Sequence, residues 1–260
     1  MDLGIKGKYA VVTGGTHGIG LATALRLAGE GCNIAVCSRT NNRINSAIEL
    51  IQKFQVKCIG MQVDVLKPET INKFCDFIIK KWGSIDILVN NVGGGGRWGN
   101  ENIEQNDDNV WIDVYNKNAM AAVRFTKFFI PYMKKQKWGR VITVASRYGR
   151  EGGGRPWFNM ANSAEISLMK TLSLNYELAR ANITFNSVSP GGIEIKNTGW
   201  DKEKAKNPEK FDKMIDKDFP MGRMGTPEEV ADVITFLCSA NATLVSGASI
   251  PIDGGESKAF

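Results

Sequence analysis

The chain has 260 residues, of which 43% are hydrophobic and 23% charged, and its formal net charge at pH 7 is +6. This balance fits an ordinary folded chain with a sizeable core and excludes a disordered or fibrous polymer. The basic residues are spread along the chain and interleaved with 27 acidic ones, so an anionic small molecule is the expected partner, not a nucleic acid. No apolar run reaches the roughly 18–20 residues of a membrane span, and residues 1–20 pass directly into a strand pattern without a secretory leader. A cytoplasmic protein without a membrane partner is expected. Cys32, Cys37, Cys58, Cys75 and Cys238 are odd in number and widely spaced within apolar patterns, which reads as buried free thiols, with no disulfide framework and no metal site.

Residues 8–13 form a short apolar run, 14–20 a glycine-rich turn, 19–29 a helical pattern and 33–38 a second apolar run. Together they make one βαβ unit. Further strand-like runs follow at 57–63, 85–90, 139–145 and 183–188, separated by segments of helix length. Such alternation implies a parallel sheet covered on both faces. No compositional break or linker divides the chain, so residues 1–260 are expected to form one domain. The stretches 92–100, 147–157 and 195–219 are irregular, and the last is polar, Lys-rich and long enough to serve as a substrate lid. Loops after parallel strands lie at the carboxyl edge of the sheet, where ligands bind.

Gly14, Gly18 and Gly20 stand in TGGTHGIG, after a strand and at the opening of a helix. A side chain at these positions would obstruct the tight turn, the approach of a pyrophosphate to backbone N–H groups, or the packing of helix on sheet. His17, the only histidine, lies inside this turn. A role in holding phosphate suits it better than catalysis, so Ser-His-Asp hydrolysis and His-based zinc sites have little support.

The spacing TGxxxGxG resembles the short-chain dehydrogenase/reductase family. Asp64-Val65 follows the third strand, where that family contacts adenine, and NNVG at 90–93 is similar to its NNAG. Asn118, with Trp111 before it and Pro131 after it, matches the family's catalytic Asn, and Ser146 at the end of GRVITVAS matches its catalytic Ser. NSVSPGG at 186–192 resembles the turn facing the nicotinamide, and SGASIPIDGG at 246–255 the C-terminal strand. The resemblance spans roughly residues 5–255. It implies an α/β fold: a single-domain Rossmann-type, doubly wound parallel sheet of about seven strands with helices on both faces. It also implies a homo-oligomer, dimer or tetramer, built on the helices around 103–135 and 160–180 and the C-terminal strand. The cofactor-binding residues it implies are Gly14, Thr16, His17, Gly18, Ile19, Gly20, Ser38, Arg39, Asp64, Val65, Asn91, Gly93, Pro190, Gly191 and Ile193.

The second strand ends Cys37-Ser38-Arg39. An Asp at position 38 would bond the ribose hydroxyls and repel a 2′-phosphate, whereas a hydroxyl beside a guanidinium can hold one, so NADP(H) is favoured over NAD(H).

The family's reaction uses a Tyr to pass a proton while hydride moves, and a Lys four residues later to lower the Tyr pKa and hold the ribose. Carried over here, the Tyr place falls on Phe158 and the Lys place on Asn162, in a segment set one residue closer to Ser146 than the commonest family spacing. Neither neighbouring register supplies a Tyr. Losing a general acid typically costs about 10²–10⁴ in rate. Three readings follow: a reductase of an activated acceptor such as a conjugated carbonyl, as in atypical family members that lack the pair; a carbonyl reductase with Tyr148 or a bound water as proton donor; or a nucleotide-binding or inactivated chain without turnover. Arg97, Arg147, Arg150 and Arg155, with Trp98, Tyr148 and Trp157, fall in loops expected around the nicotinamide. The arginines suit an anionic small-molecule substrate and the aromatics a flat apolar wall.

Overall fold

A computed structural model describes residues 1–259. Seven strands, β1 (Tyr9–Thr13), β2 (Asn33–Ser38), β3 (Cys58–Gln62), β4 (Ile87–Asn90), β5 (Gly139–Val144), β6 (Ile183–Pro190) and β7 (Ser249–Ile252), form one sheet in the order β3-β2-β1-β4-β5-β6-β7. Every pairing is parallel. The strands are short and mostly apolar, and their alternate residues feed opposite faces. Val11, Ala35, Leu88, Val141 and Phe185 join one core, and Ala10, Val12, Ile34, Val89, Ile142 and Val188 the other.

The helices α1 (Gly18–Gly29), α2 (Asn41–Gln52), α3 (Pro68–Trp82), α4 (Asp108–Tyr115), α5 (Ala121–Gln136), α6 (Pro156–Ser173), α7 (Tyr176–Arg180), α8 (Gly199–Lys206), α9 (Pro208–Asp218) and α10 (Pro227–Leu237) cover both faces. α1, α2 and α10 close the second core with Ala24, Leu27, Ile51, Val230 and Ile234. α3, α5 and α6 close the first with Ile71, Phe74, Phe125, Phe129 and Met169. Each fully buried Phe contributes about 1.5–3 kcal/mol of transfer free energy, which makes the sheet a rigid platform for the loops at its carboxyl edge. The strand order reverses at β1, whose neighbours are β2 and β4, and the chain parts there in opposite directions to leave a crevice.

One expected loop is largely helical. Within 195–219 lie α8 and α9, joined at Asn207, whose side chain accepts from the Lys210 N–H at 3.0 Å. Phe211, Met214 and Ile215 recur at helical spacing and pack with Trp200, Phe219 and Met224 into a small core of their own. The many lysines around this stripe hide it from a reading of composition. Of the cysteines, all five are free and Cys32, Cys37, Cys75 and Cys238 are buried; burial pushes the Cys32 and Cys37 thiols up to about 12. Among the described residues no helix is long and apolar enough to cross a membrane.

Candidate active site

The crevice beside β1 opens on a cavity of about 240 Å³, lined by Gly14, Thr16, His17, Ser38, Arg39, Arg43, Asp64, Val65, Asn91, Gly93, Trp98 and Lys117. Its floor is stitched across the switch point. Thr13 Oγ1 accepts the N–H groups of Asn91 (2.9 Å) and Val92 (3.1 Å), and Asn91 Nδ2 donates to the Thr13 carbonyl at 2.9 Å. The turn requires glycine at two places for different reasons. Gly14 has φ +64°, and a Cβ on Gly20 would stand 2.5 Å from the Gly14 carbonyl oxygen. α1 therefore begins directly behind the turn, with its N-terminal N–H groups facing the crevice.

A second, larger cavity of about 500 Å³ lies farther along the carboxyl edge. Ile19, Ser146, Arg147, Tyr148, Arg155, Phe158, Pro190, Gly191, Ile193 and Trp98 line it, and Trp98 borders both cavities. Thus the glycine turn, the end of β5, the start of α6 and the turn after β6 face one continuous groove. Ser146 caps the short turn Arg147–Gly149, where its Oγ accepts the Tyr148 N–H at 3.3 Å. Phe158 presents its ring to the cavity against Gly96.

The two asparagines of the expected catalytic set lie behind the wall. Asn118 is 2% exposed and sits in a π turn, Asn116–Met120, between α4 and α5. Its amide donates to the carbonyls of Gly94 (2.8 Å) and Val114 (2.6 Å) and accepts the Gly94 N–H (2.9 Å), so the side chain pins the glycine-rich loop 92–100 to the helix. Asn162 is 1% exposed, and its Nδ2 donates to the Phe158 carbonyl at 2.7 Å, one turn back in α6. Trp157, expected as a wall of the substrate pocket, is instead fully buried, edge-on to Trp111 with ring centroids 5.4 Å apart. The reason is helical phase: Trp157 and Ala161 share the face of α6 that packs on Val114.

The arginines divide by partner. Arg97 pairs with Glu203 of α8 at 3.0 Å and lies 4.8 Å from the Trp200 ring centroid. Arg147 pairs with Glu151 at 2.8 Å and Glu256 at 3.0 Å. Arg155 reaches the exposed Glu101 at 3.5 Å through Nη2, while its Nη1 is buried without a partner. Arg155 is therefore the cation of this cavity with an unmet hydrogen-bonding group.

Several lining residues carry no sequence signal. Lys117 and Arg43 add two cations beside Arg39. Burial, with Arg39 nearby, pushes the Lys117 ammonium down, against the pull of Asp64, and its Nζ lies 4.5 Å from the Trp98 ring centroid. Glu256 and the segment Ile195, Thr198 and Trp200 border the larger cavity from the far end of the chain. Nothing in their local sequence marks them, because only the tertiary fold brings them to this edge.

Residues 14–257 match the family described as enoyl-(acyl carrier protein) reductase. The 3-oxoacyl-[acyl-carrier-protein] reductase FabG of Aquifex aeolicus is 34% identical over 257 residues, covering 98% of this chain and 99% of its own. The structure of L-sorbose reductase from Gluconobacter frateurii, complexed with NADPH and L-sorbose, is similar with a TM-score of 0.92 and 33% identity over the full length of both chains. That of YwfH, an NADPH-dependent reductase involved in bacilysin biosynthesis, has a TM-score of 0.89 and 29% identity over 98% of this chain and 100% of its own. With a parallel seven-stranded sheet, a glycine turn at the switch point and relatives that reduce carbonyl compounds, this chain belongs to the short-chain dehydrogenase/reductase family of NAD(P)-dependent oxidoreductases.

Proposed function

We propose that the protein is an NADP(H)-dependent reductase of an activated, anionic carbonyl compound, conjugated or keto, and that Phe158 and Asn162 stand at the family's Tyr and Lys places. One observation carries this reading. Ser146 and the Pro190–Gly192 turn line the same cavity as Arg155, whose ion pair with the exposed Glu101 is long at 3.5 Å, and Phe158 offers no proton there.

The crevice fits a dinucleotide, since its floor is closed to any Cβ at Gly20. Thr16, His17 and the N-terminus of α1 would hold the pyrophosphate, and Asp64 with Val65 the adenine. Ser38 and Arg39 would hold the 2′-phosphate, with Lys117 as a further cation. Bound there, NADP(H) supplies hydride. Ser146 would donate a hydrogen bond to the carbonyl oxygen as negative charge develops on it, and Arg155 would take the substrate's anionic group. Asn118 acts at one remove, by holding Gly94 and with it the wall of the groove. Residues 195–219 would serve as the lid, latched by Arg97 to Glu203 and Trp200.

Assembly as a dimer or tetramer is supported by exposed apolar side chains in the segments named above, with Ile103, Ile112, Leu174 and Tyr176 all more than half exposed. The test of function is NADPH oxidation with an α,β-unsaturated keto acid and its saturated counterpart in parallel. With benzylidenepyruvate, deuteride from labelled cofactor should appear at the β carbon if the double bond is reduced and at the carbonyl carbon if the ketone is. A protein that binds NADPH and turns over neither acceptor is a nucleotide-binding chain.

A further inference from the structure

The cavity beside Ser146 contains a phenol. Tyr148 sits in the turn Arg147–Gly149, and its ring is seated by glycines. A Cβ on Gly153 would stand 2.7 Å from Cε1, and one on Gly154 3.0 Å from Cδ2. The loop closes on the ring only because these two residues lack side chains and adopt φ of +139° and +65°. This is the glycine-rich loop between Ser146 and Phe158. The hydroxyl at the tip of the ring accepts a hydrogen bond from Arg147 Nη2 at 2.9 Å, and the guanidinium carbon lies 4.4 Å from the ring centroid.

Arg147 is itself held from two sides. Nη1 donates to Glu151 Oε1 at 2.8 Å, and Nη2 meets Glu256 Oε1 at 3.0 Å. Glu256 Oε2 accepts the N–H of Gly192, in the turn after β6, at 2.7 Å. Glu151 Oε2 accepts the N–H of Lys258 at 2.7 Å, so both carboxylates tie the C-terminal segment to the turn that carries Tyr148. The Glu256 side chain is 6% exposed and lines the cavity. Burial pushes its carboxyl up, against the hydrogen bond from Gly192 and the charge of Arg147; Asp253 and Glu151 add to the rise. An inert wall would need neither a guanidinium bonded to the phenol oxygen nor two carboxylates to fix that guanidinium.

We propose that Tyr148 is the acid of this reductase, with Arg147 as its charge partner and Glu256 as the residue that positions Arg147. The inference rests on the reductase reading above. As the substrate carbon accepts hydride with its electron pair, the displaced π pair moves onto the carbonyl oxygen. Tyr148 Oη gives its proton to that oxygen, which yields an alcohol, or an enol when the double bond is reduced. The phenolate left behind faces the Arg147 guanidinium and recovers a proton from water. Ser146, two residues away, orients the same oxygen.

The test uses the full chain with NADPH and benzylidenepyruvate or phenylpyruvate. Tyr148→Phe should lower kcat about 10²-fold while the NADPH Kd, read by cofactor fluorescence, stays within about twofold. Glu256→Gln should abolish the acid limb of the kcat–pH profile, because the wild type loses its grip on Arg147 as Glu256 gains a proton. In tyrosine ¹³Cζ spectra of the cofactor-free protein, the resonance missing in Tyr148→Phe should move with that acid-range titration, and cease to move in Glu256→Gln. If Tyr148→Phe no longer binds NADPH, Arg147→Lys replaces it and should lower kcat about tenfold or more. A loss of kcat below about tenfold overturns the inference alone, and an unchanged acid limb in Glu256→Gln overturns the role of that residue. A wild type that binds NADPH and reduces neither acceptor overturns the reductase reading and this inference together.

Discussion

The two ends of the groove are built differently. At the end beside β1, Gly14 to His17, Ser38 to Arg43, Val63 to Leu66 and Asn91 to Gly93 come from successive turns after strands, each next to the strand that positions it, with Trp98 and Lys117 added from farther along the chain. At the other end, Ile19, residues 94–98, 145–158, 190–200 and Glu256 converge from five parts of the chain. Cations also behave differently. Arg39, Arg43 and Lys117 gather around one cavity, as a polyanionic ligand requires, whereas Arg97 and Arg147 are matched to carboxylates of the protein itself. A cluster of arginines in a sequence therefore says little about substrate charge until their internal partners are known.

The sharpest break of this comparison is Arg155→Met. If the Arg155 guanidinium, which lines the cavity, meets the anionic group of the substrate, KM for keto acids should rise about 10–100-fold, the equivalent of about 1.5–3 kcal/mol for a charge-assisted bond. The NADPH Kd should not change, and an equal loss with a neutral ketone would remove Arg155 from substrate recognition. At the other end, Arg39→Ala should weaken NADPH about tenfold and leave NADH nearly unaffected, since Arg39 is exposed and its bond is partly screened. Lys117→Met should add a smaller, separate loss of about threefold to tenfold for 2′,5′-ADP over 5′-AMP. Calorimetry with the two nucleotides reads the difference, and equal losses for both would assign Lys117 to the adenine instead.

Glu165 lies buried in α6, seven residues past Phe158. Burial alone holds its carboxyl well above the ordinary 4.5, and Oε2 has no partner. The folded chain binds this proton more tightly than the unfolded one. The stability it contributes is therefore fully present below the ordinary value and is lost as pH rises through the raised value. Glu165→Gln keeps the shape without the charge, so its Tm should exceed that of the wild type increasingly as pH rises above the ordinary carboxyl value, by about 2–4 °C per kcal/mol. Parallel Tm curves across pH would mean that Glu165 is met by water. The smallest effect is expected at the lid. The Arg97–Glu203 pair is about half exposed on both sides, so Glu203→Gln should raise KM no more than about fivefold. A larger change would make the latch part of substrate binding.

The glycine turn and the strand alternation were legible because each depends on neighbours in the chain. Gly14 needs its φ, Gly20 needs the space beside the Gly14 carbonyl, and both requirements are met within seven residues. Asn118 was legible by spacing, but its side chain is spent on Gly94 and Val114. Trp157 reads in sequence as a loop residue, which has no helical phase, whereas α6 begins one residue before it and turns it inward. In sequence the segment 195–219 reads as loop because its apolar stripe is three residues wide among lysines, and the stripe gains meaning only against Trp200, Phe219 and Met224.

By itself, then, the sequence determined the sheet, the family and the glycine turn, all of which rest on periodicity or on short-range turn chemistry. Only the tertiary structure decided which charges are available. Arg147 and Arg155 are eight residues apart and indistinguishable as side chains. One faces Glu151 and Glu256, the second of these more than a hundred residues away, and the other keeps a buried nitrogen without a partner. An ion pair depends on where a distant carboxylate lands after folding, and no local pattern carries that distance.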